Sequence, residues 1–238
     1  MFVASCSDNI YEPKKDGRGA YLNPEHMISL LFGKQLESAI IDMFLLLLQT
    51  KKDDQPSEYY DYDCLPAYGK GWIMGWTGNE KRKEYLEYIL KTLQPPVEDK
   101  DMVFSPMHFI NHWALLIINM RTKQYELYDS MIQHPKNDFH NYVQFLKEGF
   151  LQILGLDTTE WPIIVPSPCP QQGAGDDCAL FVCKYMECLA NKNVIGLPFS
   201  QADMDLMRGK LASAIIQEVN GEKENRSNGE AAVEKIVS

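Results

Sequence analysis

The spacing of apolar residues changes along the chain, and this change constrains the fold more than any other sequence feature. Helical spacing dominates before about residue 93, short strand-like runs occupy residues 103–129, and helical spacing then returns. Helices are predicted at Leu36–Leu48, Glu80–Leu93, Phe139–Leu154, Cys178–Leu189 and Met204–Val219. Strands are predicted at Val103-Phe104, Trp113–Ile118, Gln124–Asp129 and Trp161–Val165. Because strands and helices do not alternate regularly, the pattern predicts an α+β domain.

The predicted domain covers residues 25–219 of the 238-residue chain. Residues 1–24 are rich in Lys, Asp, Gly and Pro and are expected to form an irregular N-terminal arm. Asn23-Pro24 is expected to open the first helix, because proline is tolerated at the first helical position. Residues 220–238 are polar and are predicted to be a disordered tail.

Charge and cysteine usage narrow the class of protein. The chain has 33 acidic and 23 basic residues, a formal net charge of −10, which argues against nucleic-acid binding. The apolar run 40–48 is too short to span a bilayer, and the first residues do not resemble a signal peptide. Cys178, Cys183 and Cys188 lie five residues apart, a spacing that common zinc sites do not use. We therefore expect no metal, no cofactor and no membrane association, and a monomer in the reducing nucleus or cytoplasm.

A glycine-containing loop runs directly into the apolar helix that begins at Cys178. The N-terminus of a helix carries partial positive charge and unpaired N–H groups, which favour a thiolate and can donate to an oxyanion. Asp177 is the expected N-cap, although it and Asp176 would oppose thiolate formation unless they are solvated or capping. A small buried core cysteine is the alternative, and it is the interpretation adopted for Cys183 and Cys188.

A histidine and an aspartate stand at the two ends of the predicted β-hairpin. His112 directly precedes the strand 113–118, and Asp129 ends the strand 124–129. A turn at 119–123 would bring these two ends together. The hairpin therefore predicts a general base beside the carboxylate that orients it.

Three runs of sequence resemble the SUMO-protease family of ubiquitin-like-protein processing enzymes. They are Phe104-Ser-Pro-Met-His-Phe-Ile-Asn-His-Trp-Ala-Leu115, Tyr128-Asp-Ser-Met131 and Pro170-Gln-Gln-Gly-Ala-Gly-Asp-Asp-Cys178. The resemblance implies a papain-like or adenain-like cysteine protease fold, with a small central mixed sheet flanked by helices. It also implies that Cys178 is the nucleophile, His112 the general base and acid, and Asp129 its orienting residue. His108 matches a family position outside this triad and is expected to be structural.

The resemblance further implies a set of substrate-contacting residues. Gln172 falls where the family places the glutamine of its oxyanion hole, and Trp113 where a tryptophan covers the tunnel for the Gly-Gly tail of the substrate. Gln35 stands where a second tunnel tryptophan is expected. Trp72 or Trp76, in a predicted aromatic loop, would have to replace that wall.

The function implied is cleavage after the C-terminal Gly-Gly of a ubiquitin-like modifier, with SUMO or another ubiquitin-like protein as partner. Two alternatives stay open at this point. One is a protease for a different ubiquitin-like modifier, and the other is a catalytically degenerate module that binds such a protein without cleaving it.

Overall fold

The computed structural model describes residues 9–14, 19–67, 99–109, 111–131, 137–147 and 155–237. The described residues form five helices and five strands. In chain order these are α1 (Pro24–Leu31), α2 (Ser38–Asp54), β1 (Tyr62–Cys64), β2 (Met102–Phe109), β3 (His112–Asn119), β4 (Gln124–Tyr128), α3 (Asn137–Phe145), β5 (Ile163–Ile164), α4 (Cys178–Ala190) and α5 (Met204–Val237). Short 3-10 turns lie at Pro56–Glu58 and Gln201–Asp203.

The strands form one mixed sheet in the order β1-β2-β3-β4-β5. β2, β3 and β4 pair antiparallel, whereas β1 and β5 join the two edges in parallel. The β3–β4 hairpin pairs Asn119 with Gln124 at the turn and Leu115 with Tyr128 toward the open end. The first residue of β3 and the residue after β4 therefore lie at the same end of the sheet.

The two faces of the central strands are buried in separate hydrophobic clusters. One face, which includes Leu115 and Ile117 of β3, packs with α1, α2, α4 and α5. The opposite face, which includes Leu116 and Ile118, packs with α3. Burial on both faces explains why β3 reads as a continuous apolar run. The predicted α+β class, with a small mixed sheet flanked by helices, is confirmed.

Local sequence explains where the first helix begins. Asn23 is the N-cap of α1, its side chain accepts from the backbone N–H of His26 at 3.0 Å, and Pro24 is the first helical residue. The arm before α1 is attached to the core, since Tyr11 and Leu22 are buried and form an antiparallel bridge.

Several elements differ from the sequence-based predictions. β1 is not among the predicted strands, because only three residues pair and so short a strand leaves no alternating pattern in the sequence. β2 extends to Phe109 although Pro106 interrupts its apolar run, since pairing with β3 continues through that proline. β5 is confined to two residues of the strand predicted at 161–165.

The C-terminal prediction is wrong in one respect. α5 continues to Val237, where a disordered tail was expected after Asn220. Nine of the 17 residues 221–237 are Glu, Lys, Arg or Ala, which have high helix propensity. The helix predicted at Glu80–Leu93 lies outside the described residues. None of the helices in the described part of the chain is long and apolar enough to cross a membrane.

Candidate active site

The structure brings Cys178, His112 and Asp129 together. Cys178 is the first residue of α4, which packs against β3, while His112 is the first residue of β3 and Asp129 directly follows β4. Nε2–H of His112 donates to Oδ1 of Asp129 at 2.7 Å. The expected arrangement of base and orienting carboxylate across the hairpin is therefore present.

The histidine also interacts with the cysteine. Because Asp129 occupies Nε2, Nδ1 is the ring nitrogen left to exchange a proton with the Cys178 thiol, whose proximity also acts on the ring. Burial opposes protonation of the ring, but the hydrogen bonds with Asp129 and Cys178 outweigh it and raise the pKa of His112 to about 9. A ring of this basicity can take a proton from the sulfur and hold it at neutral pH.

The position of Cys178 supplies a second electrostatic contribution. The first hydrogen bond inside α4 runs from the N–H of Phe181 to the carbonyl of Asp177, at 3.0 Å. The N–H groups of the preceding turn therefore point out of the N-terminus of the helix, beside the sulfur. They favour negative charge both on the thiolate and on an oxyanion formed from a carbonyl that it attacks.

The carboxylate of Asp177 does not cap α4, although the residue occupies the predicted N-cap position. Its Oδ1 accepts from Nη2 of Arg208 at 2.6 Å, and its Oδ2 accepts from Nε2 of Gln201 at 2.6 Å. The side chain of Asp176 is exposed. The two carboxylates that would oppose a thiolate are thus respectively paired and solvated.

Gln172 belongs to the loop 166–177 that leads to Cys178, and its side chain is fixed there by hydrogen bonds. Its Oε1 accepts from the hydroxyl of Ser130 at 2.7 Å, and its Nε2 donates to the carbonyl of Gly175 at 3.0 Å. The backbone N–H of Gln172 also donates to the carbonyl of Ser130, at 3.0 Å. A primary amide carries two N–H groups on Nε2, and the bond to Gly175 uses one of them.

Trp113 is almost completely buried, at 3% exposure, and its indole is fixed at both ends. The indole N–H donates to the carbonyl of Leu36 at 2.9 Å, and the ring of His108 lies 4.5 Å from the indole ring, centroid to centroid. The half-buried Gln35 is the neighbour of Leu36 in the chain, so the structure brings the predicted tunnel segment to Trp113. Trp72 and Trp76 lie outside the described residues.

The sulfur and the imidazole are almost fully buried: Cys178 is 2% exposed and His112 is 3% exposed. Little space is therefore left beside the sulfur for a bulky group. The described residues contain no cluster of His, Cys, Asp or Glu that could hold a metal ion.

Sequence reasoning missed three residues that support this site: Ser130, Gln201 and Arg208. Ser130 lies inside the run 128–131 that carries part of the family resemblance, but nothing in that run assigned a role to its hydroxyl. Arg208 did give one, since it lies at helical spacing in a stripe whose other members are apolar and buried: Met204, Leu211, Ala212 and Ile215. An arginine in such a stripe requires a buried partner.

A cysteine at the start of a helix, beside a histidine oriented by an aspartate, is the arrangement of a cysteine peptidase. The sequence matches the family described as "Ulp1 protease family, C-terminal catalytic domain" over residues 73–222, well over half of the chain. The chain belongs to this family.

Individual relatives agree with that assignment. The chain is 25% identical over 199 residues to ubiquitin-like-specific protease 1A of Arabidopsis thaliana, a match that covers 78% of this chain and 37% of that protein. It is 29% identical over 193 residues to mouse sentrin-specific protease 2, covering 77% of this chain and 30% of that protein. The chain thus spans well under half the length of these two relatives.

Solved structures share the fold. The C-terminal Ulp1 protease domain in complex with Smt3, the yeast ortholog of SUMO, superposes with a TM-score of 0.67 at 19% identity, covering 90% of each chain. The catalytic domain of the Ulp1-like SUMO protease of Chaetomium thermophilum gives 0.65 at 16% identity, covering 92% of this chain and 85% of that one. The resemblance to a SUMO-protease fold is confirmed.

Proposed function

We propose that the chain is a cysteine isopeptidase and endopeptidase that cleaves after the C-terminal Gly-Gly of a ubiquitin-like modifier, with SUMO as the modifier. The observation that carries the proposal is the Cys178–His112–Asp129 assembly, whose sulfur and imidazole are almost fully buried. Glycine has no side chain, so a Gly-Gly tail needs less space beside a buried sulfur than a C-terminus with bulkier residues. The names of the relatives, which are proteases for ubiquitin-like proteins and for sentrin, point to the same class of substrate.

The proposed reaction is acyl transfer in two steps. In the first, the Cys178 thiolate attacks the carbonyl carbon of the terminal glycine, which is joined to a lysine amine or to a peptide extension. The oxyanion accepts hydrogen bonds from the amide of Gln172 and from the backbone N–H of Cys178. The imidazolium of His112 then protonates the nitrogen of the leaving amine as the C–N bond breaks.

Hydrolysis of the thioester completes the cycle. The now neutral His112 removes a proton from a water molecule, and the resulting hydroxide attacks the acyl carbon. The C–S bond breaks, the modifier leaves with a free carboxylate, and the thiolate and imidazolium are restored. Asp129 stabilises the positive ring in both steps. The scheme needs no cofactor.

The direct test is a panel of modifier proteins that carry an electrophile in place of the C-terminal carboxylate. We expect a SUMO probe to add its mass to the protein covalently, and Cys178→Ser to abolish the adduct. Cys188→Ser, which changes a buried cysteine of the same helix, is the matched control and should react normally.

Other results would identify the alternatives. An adduct with a different modifier, but not with SUMO, would contradict the substrate and retain the chemistry. Binding of a modifier without an adduct would indicate a module that has lost catalysis. We further propose that the enzyme acts as a monomer in the cytosol or nucleus, where reducing conditions preserve the thiol. Fluorescence imaging of the tagged full-length protein tests the location.

A further inference from the structure

Arg208 is a buried cation on α5 that the reaction above does not use. Its side chain is 7% exposed, and its charge is balanced by the carboxylate of Asp177, the residue before the nucleophile. Both Nη2 and Nε of Arg208 donate to Oδ1 of Asp177, at 2.6 and 3.1 Å. A buried arginine held by a fork of this kind is costly unless its partners are fixed in place.

The same guanidinium also contacts the segment that leads to Gln35. Its Nη1 donates to the carbonyl of Leu30 at 3.1 Å, at the end of α1. Nη1 and Nη2 each lie 3.4 Å from the carbonyl oxygen of Lys34. Two residues later, the carbonyl of Leu36 accepts from the indole of Trp113. One side chain therefore joins the start of the nucleophile helix to the segment packed against Trp113.

Gln201 reinforces the attachment from the turn before α5. Its Nε2 donates to the second carboxylate oxygen of Asp177 at 2.6 Å, and its Oε1 accepts from the backbone N–H of Gly173 at 2.8 Å. Both oxygens of Asp177 are consequently occupied. Gln201 therefore binds both the loop that carries Gln172, through Gly173, and Asp177.

We propose that Arg208, assisted by Gln201, is a positioning residue for the nucleophile, which it acts on through Asp177. It neutralises the carboxylate of the residue that precedes Cys178 and holds the first turn of α4 in register with the segment 34–36. The proposal rests on the proposed function as far as turnover is concerned. A lysine would supply the charge but not the several donors in one plane, so the role requires the guanidinium itself.

The test combines turnover with a reaction that needs no modifier. Turnover is measured as kcat and KM on a modifier with a C-terminal fluorogenic amide, and thiol reactivity as the rate of alkylation of Cys178 by iodoacetamide, followed by mass spectrometry. For Arg208→Met we expect kcat to fall at least about tenfold while KM changes less than about threefold. Alkylation should slow by a comparable factor, because the residue that precedes Cys178 then carries a carboxylate without its cationic partner.

The companion variants separate positioning from mere stability. Asp177→Asn combined with Arg208→Met removes the unpaired charge and should restore much of the alkylation rate, which a general loss of folding would not allow. Arg208→Lys should fall between wild type and Arg208→Met. Gln201→Ala, a milder change, should show the same pattern to a smaller extent. Lys210→Met, an exposed change on the same helix, should behave as wild type.

Two results would overturn the proposal. One is a folded Arg208→Met protein, shown by an unfolding transition well above the assay temperature, whose alkylation rate lies within twofold of wild type. The other is a double variant as slow as Arg208→Met alone. If wild type cleaves no modifier, the proposed function fails, but the alkylation comparison still decides the role of Arg208.

Discussion

Replacement of Asp129 by asparagine isolates the charge of the catalytic pair from its geometry. Oδ1 of Asp129 accepts from Nε2 of His112 at 2.7 Å and from the backbone N–H of Met131 at 2.8 Å. Two donors converge on this one position, so an asparagine must place its carbonyl oxygen there and its NH2 group away. Asp129→Asn therefore keeps the orientation of the ring and removes only the negative charge.

The size of the expected effect of Asp129→Asn follows from the pKa of His112. Burial would lower this pKa, but the interactions with Asp129 and Cys178 raise it from 6.5 to about 9. One pKa unit corresponds to roughly 1.4 kcal/mol. Because Cys178 supplies part of the shift and water screens part of the charge, we expect the carboxylate to contribute about 1–2 kcal/mol. The alkaline limb of the kcat/KM profile should accordingly move down by about one pH unit, and kcat should fall about tenfold or more.

The pH dependence of folding stability that this histidine produces is opposite to that of an acid whose pKa is lowered by folding. A raised histidine pKa stabilises the folded state fully below about pH 6.5, and this stabilisation is lost as the pH rises through about 9. Urea unfolding should therefore show Asp129→Asn less stable than wild type at pH 6, with a smaller difference at pH 10. Asp129→Ala, which also loses the orientation of the ring, should lose more activity than Asp129→Asn.

An alkaline limb that stays in place in Asp129→Asn would refute this reasoning. So would a stability difference that grows between pH 6 and pH 10. Either result would mean that Asp129 orients the ring without stabilising its charge.

Three further predictions concern neighbouring and distant groups. Ser130→Ala removes the hydroxyl that donates to Gln172 at 2.7 Å, and kcat should fall severalfold with little change in KM, as steady-state kinetics would show. Burial raises the pKa of Asp42 to about 7, so this carboxylate opposes folding increasingly as the pH rises from about 4 to 7. Urea unfolding should show that Asp42→Asn raises the free energy of unfolding by about 1–3 kcal/mol at pH 8 and leaves it unchanged at pH 3. Tyr142→Phe leaves the buried hydroxyl of Ser105 without its 2.9 Å partner and should cost about 1–2 kcal/mol of thermal or urea stability, with kcat/KM unchanged.

The candidate site was predictable from sequence because its members lie at the ends of elements with strong patterns. The apolar run of β3 located His112, the following strand located Asp129, and the apolar helix after a glycine-containing loop located Cys178. In each case a change of period marked the boundary, and the turn at 119–123 brought the strand ends together. Local pattern therefore located the three residues, whereas the resemblance to the SUMO-protease family supplied their expected roles.

Contacts between distant segments were beyond the reach of that reasoning. Asp177 was expected to cap its own helix, but a charged partner on α5 outcompetes the backbone N–H groups for its oxygens. The three-residue strand β1 is fixed by pairing with β2 across a long stretch of intervening chain, not by its own propensity. α5 continues past Asn220 because the segment contains residues of high helix propensity, whereas the prediction of a disordered tail relied on its polarity.

The proposed nucleophile and the proposed base belong to different layers of the molecule. Cys178 is carried by a helix on one face of the sheet, whereas His112 is the first residue of β3 and Asp129 directly follows β4. The separation of sulfur and imidazole is consequently set by the volumes of the side chains packed between α4 and β3. Substituting larger or smaller aliphatic residues at that interface would tune thiol reactivity from a distance, with every reacting group left intact.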